Sequence, residues 1–154
     1  MSISPRLQTY LDRRGVDYEK VPHKRALGAA QTAQVAHVGD DHMAKAVLVQ
    51  AGEQYMLAVV PASRHVQFEA LQRWLGKPVR LAEERESEEL FGDCDLGAIP
   101  PVGGAYNLET VMDDSLMDGG DVYFEGGDHR TLVHMRGEDW RKLMRDAAHG
   151  VFSA

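Results

Sequence analysis

Cysteine is almost missing from this chain of 154 residues, where Cys94 stands alone. A single thiol excludes an internal disulfide framework and any four-cysteine zinc site. It makes a reducing, cytoplasmic setting the expectation. Long apolar runs are also missing. No stretch approaches the roughly 20 uninterrupted apolar residues of a membrane-spanning helix, so no membrane partner is expected. The opening residues, Met-Ser-Ile-Ser-Pro-Arg-Leu-Gln, lack the basic-then-apolar order of a secretory leader. Positive charge is in deficit: 17 Lys and Arg against 24 Asp and Glu leave a net −7. That balance argues against a broad nucleic-acid face, and no DNA partner is expected. Walker-loop, GxSxG and HExxH patterns do not occur.

What is present reads as one globular domain over residues 1–154. Apolar residues make up 44% and charged residues 27%, ordinary values for a soluble fold. A chain of this length buries roughly 68–70% of its unfolded surface, enough for a true core. The charge is uneven. Residues 1–25 hold six Lys and Arg against three acids, while residues 83–95 hold seven acids and one Arg. Both patches fit solvated surface. The basic one also fits a small rim, centred on residues 13–25, that touches one or two phosphates beside a pocket.

The element pattern alternates irregularly. Ser4-Pro5 suits a helix start, and Gly15 ends the run that carries Leu7, Tyr10 and Leu11. A strand is predicted over 16–21 and an Ala-rich helix over 28–38. Two apolar runs, 43–50 and 54–60, flank a Gly-containing turn and predict a hairpin. Phe68, Leu71 and Leu75 predict a helix closed by Gly76. A short strand at 79–81 and an acidic helix at 83–91 follow. Residues 92–104 are rich in glycine and proline and predict an irregular loop. Strands are predicted at 109–112, 121–124 and 131–135, and a last helix at 138–148. The fold class is therefore α+β or mixed α/β.

Five places invite a chemical reading. Lys45 lies inside an apolar strand, on the same side as Val47 and Val49. It either snorkels to solvent or aims a cation into a cleft, where it can polarise a carbonyl or hold a phosphate. The segment Gly97-Ala98-Ile99-Pro100-Pro101-Val102-Gly103-Gly104 is either a tight surface connection or a stiff loop. As a loop, its N–H groups could face an anion or oxyanion. Gly126-Gly127-Asp128-His129 is either a plain hairpin turn or a way to place His129 in a cleft, with Glu125 as its carboxylate partner. The histidines of His37-Val38-Gly39-Asp40-Asp41-His42 match no metal-ligand spacing and read as a solvated turn. Cys94, between Asp93 and Asp95, is a poor nucleophile because adjacent carboxylates raise its pKa.

Lys45 and the Gly/Pro loop together resemble the YbaK/prolyl-tRNA-synthetase-associated domain family, a group of aminoacyl-tRNA deacylases. The resemblance runs over nearly the whole chain. Its first strand ends near His23, and Ala29–Val38 is similar to the family's second helix. Ala44-Lys45-Ala46-Val47-Leu48-Val49 is similar to the strand that bears the functional lysine. Gly97 to Gly103 resembles the substrate loop. Val122 to Gly127 with Thr131–Met135 resembles the closing strand pair, and Glu138-Asp139-Trp140 the start of the last helix.

The resemblance implies a curved mixed β-sheet flanked by helices. It implies hydrolysis of the ester that joins an amino acid to the 3′ end of tRNA, in trans and with no cofactor or metal. It casts Lys45 as the catalytic residue. Substrate binding falls to Gly97, Ala98, Ile99, Pro100, Pro101, Val102, Gly103, His129 and His23. Pro100 and Val102 depart from the family's usual hydroxyl and bulkier residues, which bears on amino-acid specificity. A non-catalytic module that binds a nucleotide or the tRNA end on the same fold is the alternative. A hydrolase of another small ester or amide is a third reading. Nothing in the sequence fixes the oligomeric state.

Overall fold

Ser4 accepts the Leu7 N–H and caps helix α1 (Pro5–Arg14), which Gly15 ends in the left-handed conformation. The computed structural model describes residues 3–118 and 120–154. After α1 come β1 (Glu19–Pro22), α2 (Ala29–Val35), the hairpin β2 (Ala44–Ala51) and β3 (Gln54–Pro61), and α3 (Phe68–Leu75). Then follow β4 (Val79–Leu81), α4 (Glu84–Leu90), β5 (Glu109–Asp113), β6 (Val122–Glu125), β7 (Thr131–Met135), α5 (Gly137–Leu143) and β8 (Ala148–Gly150). Single 3-10 turns occupy Gly103–Tyr106 and Asp114–Leu116. Among the described residues no helix is long and apolar enough to cross a membrane.

The single-domain, mixed α/β class expected from the sequence is observed, with a division that the pattern did not reveal. The strands form two sheets: an antiparallel β1-β7-β6 and a mixed β4-β2-β3-β5-β8. They meet at one parallel bridge between Met43 and Tyr123. The main core joins them. Ala44 and Val59 of the larger sheet and Phe124 and Val133 of the smaller pack in one cluster with Leu7 and Leu11 of α1 and Trp140 of α5. The Phe124 and Trp140 rings lie 5.8 Å apart and tilted by 45°, an arrangement that adds to area burial.

The last helix is shorter than its sequence suggests. It ends at Leu143, and residues 148–150 pair in parallel with β5 instead. Tertiary contacts decide this. The N–H of Phe152 donates to Asp113 Oδ1 at 3.0 Å, and its buried ring stacks on Trp74 at 5.9 Å. Burying an aromatic ring outweighs a few residues of helix propensity.

Candidate active site

Strand β2 is flanked unequally. β3 pairs with it from Ala44 to Ala51, whereas β4 pairs only with Val49, Gln50 and Ala51. Ala82 N–H extends that second side by one bond, to Leu48 O at 3.0 Å. In an antiparallel ladder, alternate residues turn their backbone groups to opposite neighbours. The Leu48 bond therefore means that Ala46 also turns its N–H and C=O away from β3, toward an edge with no strand beside it. A cavity of about 360 Å³ lies over this open edge. Its walls are β2 from Met43 to Leu48, Ala29 of α2, the α4 segment with Glu84 and Ser87, the loop residues Leu96, Gly97 and Ile99, and Glu125. Leu81 and Leu96 also line it while remaining 60% and 45% exposed, which makes an apolar lip.

Lys45 is half-buried on this cavity wall. Burial alone displaces its pKa, downward from the ordinary lysine value. Among the described residues no carboxylate stands within ion-pair distance of its ammonium, so its charge is unspent. A desolvated, unpaired cation is costly in a purely structural role. Val47 and Val49 pack toward α3 and Ala46 and Leu48 toward Ile99, as strand alternation requires. The cavity straddles the strand edge and so takes in residues from both faces.

The Gly/Pro loop divides between two environments. Gly97 and Ile99 reach the cavity, with Ala98 buried beneath them. Pro100 and Pro101 are buried and off the cavity, Val102 joins the main core, and Gly103 starts the 3-10 turn. The Ala98 and Gly103 N–H groups are taken by Asp95 O and Thr110 Oγ1, both at 3.1 Å. The prolines have none. Among the described residues the N–H groups of Gly97 and Ile99 carry no such bond. Gly97 has φ +82, and a Cβ there would sit 3.4 Å from the His129 ring, so this position needs glycine.

His23, Glu125 and His129 meet at the far wall. His23 Nε2 lies 3.3 Å from Glu125 Oε1, and His129 Nδ1 lies 3.8 Å from Oε2. Burial is nearly complete: 1% of the His23 side chain, 7% of Glu125 and 3% of His129 are exposed. Burial pushes the Glu125 carboxyl above its ordinary value, and His23, His129 and Thr32 offset this only in part. His129 holds φ +60 in the turn between β6 and β7. That conformation is uncommon outside glycine and points to a site that over-determines it. The hairpin turn expected at His129 is observed, and its ring is buried against Glu125 rather than on the cavity lining.

A second polar cluster fastens the loop to α1. Asp93 accepts from Ser4 Oγ at 2.6 Å, Tyr106 OH at 2.9 Å and the Arg6 N–H at 3.1 Å. The Cys94 thiol is pushed up to about 12, first by burial and only then by the charge of Asp93. The sequence reading had the right direction and put the smaller cause first. This Ser4–Tyr106 latch went unnoticed in the sequence because its members are 102 positions apart. Composition did not single out Leu81, Leu96 and Ser87 either; only the folding of α4 against β2 brings them to the cavity.

The basic rim expected at residues 13–25 is split. Arg14 pairs with Asp146 at 3.3 Å and lies over the Tyr10 ring, on a different cavity. Lys24 and Arg25 are exposed and follow His23 directly, and Lys24 lines a shallow surface depression with Val35 and His37.

Comparison with known proteins places the fold in a family. A family model described as an aminoacyl-tRNA editing domain matches residues 23–143. Among solved structures, a proposed trans-editing enzyme for prolyl-tRNA synthetase is 25% identical, with a TM-score of 0.81 and 99% of each chain covered. A protein described only as hypothetical is 24% identical, with a TM-score of 0.85 and 97% of this chain and 99% of the other covered. A proposed signal-transduction protein from Marinobacter aquaeolei is 20% identical at a TM-score of 0.77. There the match covers 97% of this chain and 30% of the other. The last two speak for the fold alone. No curated protein matches the chain.

Proposed function

The chain belongs to the aminoacyl-tRNA editing domain family, and from that premise we propose that it acts in trans as a deacylase of mischarged tRNA, in the cytoplasm. The observation that carries this reading is Lys45, an unpaired half-buried cation on a cavity wall that Gly97 and Ile99 share. An aminoacyl ester is already activated. Its hydrolysis needs a held water and stabilisation of the oxyanion more than it needs a strong nucleophile.

Lys45 would hold the ester carbonyl or the terminal phosphate. The free N–H groups of Gly97 and Ile99 would steady the oxyanion, and Ala98 to Gly103 would fix the loop that presents them. The outward N–H and C=O of Ala46 offer a donor and an acceptor for the aminoacyl group. His23 and His129 border the bound ester from the Glu125 side. Only the 3′ end of the tRNA needs to enter, so few phosphates are touched and a net −7 is compatible with an RNA substrate. Lys24 and Arg25 are the cations best placed to meet the nearest of those phosphates.

The test is a deacylation panel: purified protein with tRNAs charged with Ala, Ser, Thr, Cys or Pro, cognate and mismatched. Loss of the ester from at least one mismatched pair, above the spontaneous rate, is the expected result. Binding of charged tRNA with no loss of ester would favour a non-catalytic module instead.

A further inference from the structure

Counting protons around Glu125 leads past the lysine. His23 Nδ1 lies 2.7 Å from Lys24 O, and His129 Nε2 lies 2.5 Å from Leu96 O. A carbonyl oxygen only accepts, so each of these ring nitrogens carries its hydrogen. A neutral imidazole has one N–H, and in both rings it is already used. The remaining nitrogens, His23 Nε2 and His129 Nδ1, are then lone pairs directed at Glu125. His129 Nδ1 is buried and has no hydrogen-bond partner, the Glu125 oxygen at 3.8 Å being its nearest charged neighbour. Thr32 does not relieve the mismatch, because its hydroxyl has a shorter bond to Gly28 O (2.9 Å) than to Glu125 Oε2 (3.4 Å).

Two neutral histidines around an ionised carboxylate would set lone pair against lone pair on both sides. In a buried site that arrangement is expensive. One further proton, resting on either ring or on the carboxyl, converts one of the two contacts into a charge-assisted bond. Among the described residues no three His, Cys, Asp or Glu side chains gather closely enough to hold a metal ion.

We propose that Glu125 is the acid–base group of this pocket, with His23 and His129 as positioning residues that share a proton with it. This rests on the deacylase reading above. As water attacks the ester carbonyl, its oxygen bonds to the carbon and Glu125 takes the proton that is released. The same proton passes to the ribose 3′-oxygen as the old carbon–oxygen bond breaks. Nothing is oxidised or reduced, and the products are a free amino acid and a tRNA with an intact 3′ end.

Every element packed on the cluster contributes to its balance. The segment after β1 supplies His23, α2 supplies Thr32, and the turn between β6 and β7 supplies His129. Lys45 and Glu84 of α4 are the other charged groups on the same cavity. Burial keeps the carboxyl above its usual range, closer to the pH at which a base is most effective.

Single-turnover deacylation across about pH 5.5 to 8.5, net of the uncatalysed rate, tests this with wild type, Glu125→Gln and Glu125→Asp. Glu125→Gln is expected to lower the rate constant by about 10²-fold or more, with little change in the tRNA concentration at half-saturation. The limb of the profile on which wild-type activity falls with acid should vanish. Glu125→Asp should recover part of the rate and keep that limb; if Glu125→Gln does not fold, this variant alone decides, by moving the limb or not. An active wild type whose Glu125→Gln form stays within about threefold, with the same acid limb, would overturn the proposal and leave the deacylase intact. A wild type that cleaves no aminoacyl-tRNA would overturn both.

Discussion

Asp93 and Glu125 are both carboxylates taken out of water, and they end on opposite sides of their usual range. Burial pushes both up. At Asp93 the bonds from Ser4, the Arg6 N–H, Tyr106 and Cys94 outweigh it, and the carboxyl lies below its ordinary value. At Glu125 the neighbours do not outweigh it, and the carboxyl lies above. The difference is in what faces the oxygens. Asp93 meets hydroxyls, an N–H and a thiol, all able to donate. Glu125 meets, besides one long bond from the Thr32 hydroxyl, ring nitrogens whose hydrogens are already given to Lys24 O and Leu96 O. A carboxylate surrounded by donors is a structural anchor, and it ties the loop to α1. One that faces mostly lone pairs is suited to hold or trade a proton, the role proposed for Glu125.

Breaking the anchor should cost the most stability. Asp93→Asn leaves the Ser4 and Tyr106 hydroxyls competing for one carbonyl and should lower unfolding free energy by about 1–3 kcal/mol at neutral pH, read by denaturant titration. A depressed carboxyl contributes stability above its unfolded pKa and loses it as pH falls through the folded value. The gap between wild type and Asp93→Asn should therefore close below about pH 4.

The opposite sign is expected at the other carboxylate. A raised folded pKa gives stability that is present below the unfolded value and lost as pH rises through the folded one. At pH above 7 wild type therefore carries a cost that Glu125→Gln lacks, and the Gln amide can donate to His129 Nδ1 or His23 Nε2. The variant should melt no lower than wild type, with its advantage growing as pH rises. A clearly lower melting temperature would make Glu125 a structural anchor like Asp93.

A smaller effect separates both from a surface cluster. His134 bonds Glu19 and, at 2.9 Å, Asp121, and stacks on Tyr123 at 4.3 Å, clamping β1, β7 and the start of β6. Burial pulls its pKa down, but Glu19 and Asp121 carry it above the usual histidine value. Its contribution is full below about pH 6.5 and lost as pH rises through the raised value. His134→Gln should cost at most about 1 kcal/mol near pH 6 and less near pH 9, with deacylation unchanged.

Much of the local structure was legible in the sequence because its causes are local. Ser4, Pro5 and Gly15 delimit α1, Gly52 turns the β2–β3 hairpin, and the strand expected at 131–135 is β7 with the same bounds. Pairing across the chain was not legible. β8 depends on Phe152 reaching Asp113 and Trp74, and the two sheets join through the single bridge between Met43, just before β2, and Tyr123 of β6. In the site, Lys45, Gly97, Ile99 and Glu125 come together around one cavity, and His23 and His129 pack against Glu125 from behind that wall. The loop beyond Ile99 departs because Val102 is apolar and the core has room for it. Arg14 leaves the expected rim because Asp146 of the last turns lies closer. Glu125 was visible as a carboxylate in an apolar strand, but its surplus of lone pairs appears only when both rings and both carbonyls are placed.

The most direct test of the central claim is the single-turnover rate of ester loss from a mischarged tRNA, for wild type against Lys45→Ala. Lys45 supports no core cluster, so the variant should keep its melting temperature and lose about 10²-fold or more of the rate. A folded Lys45→Ala protein that deacylates at the wild-type rate would contradict the account, and the cavity over the open edge of β2 would not be the active site.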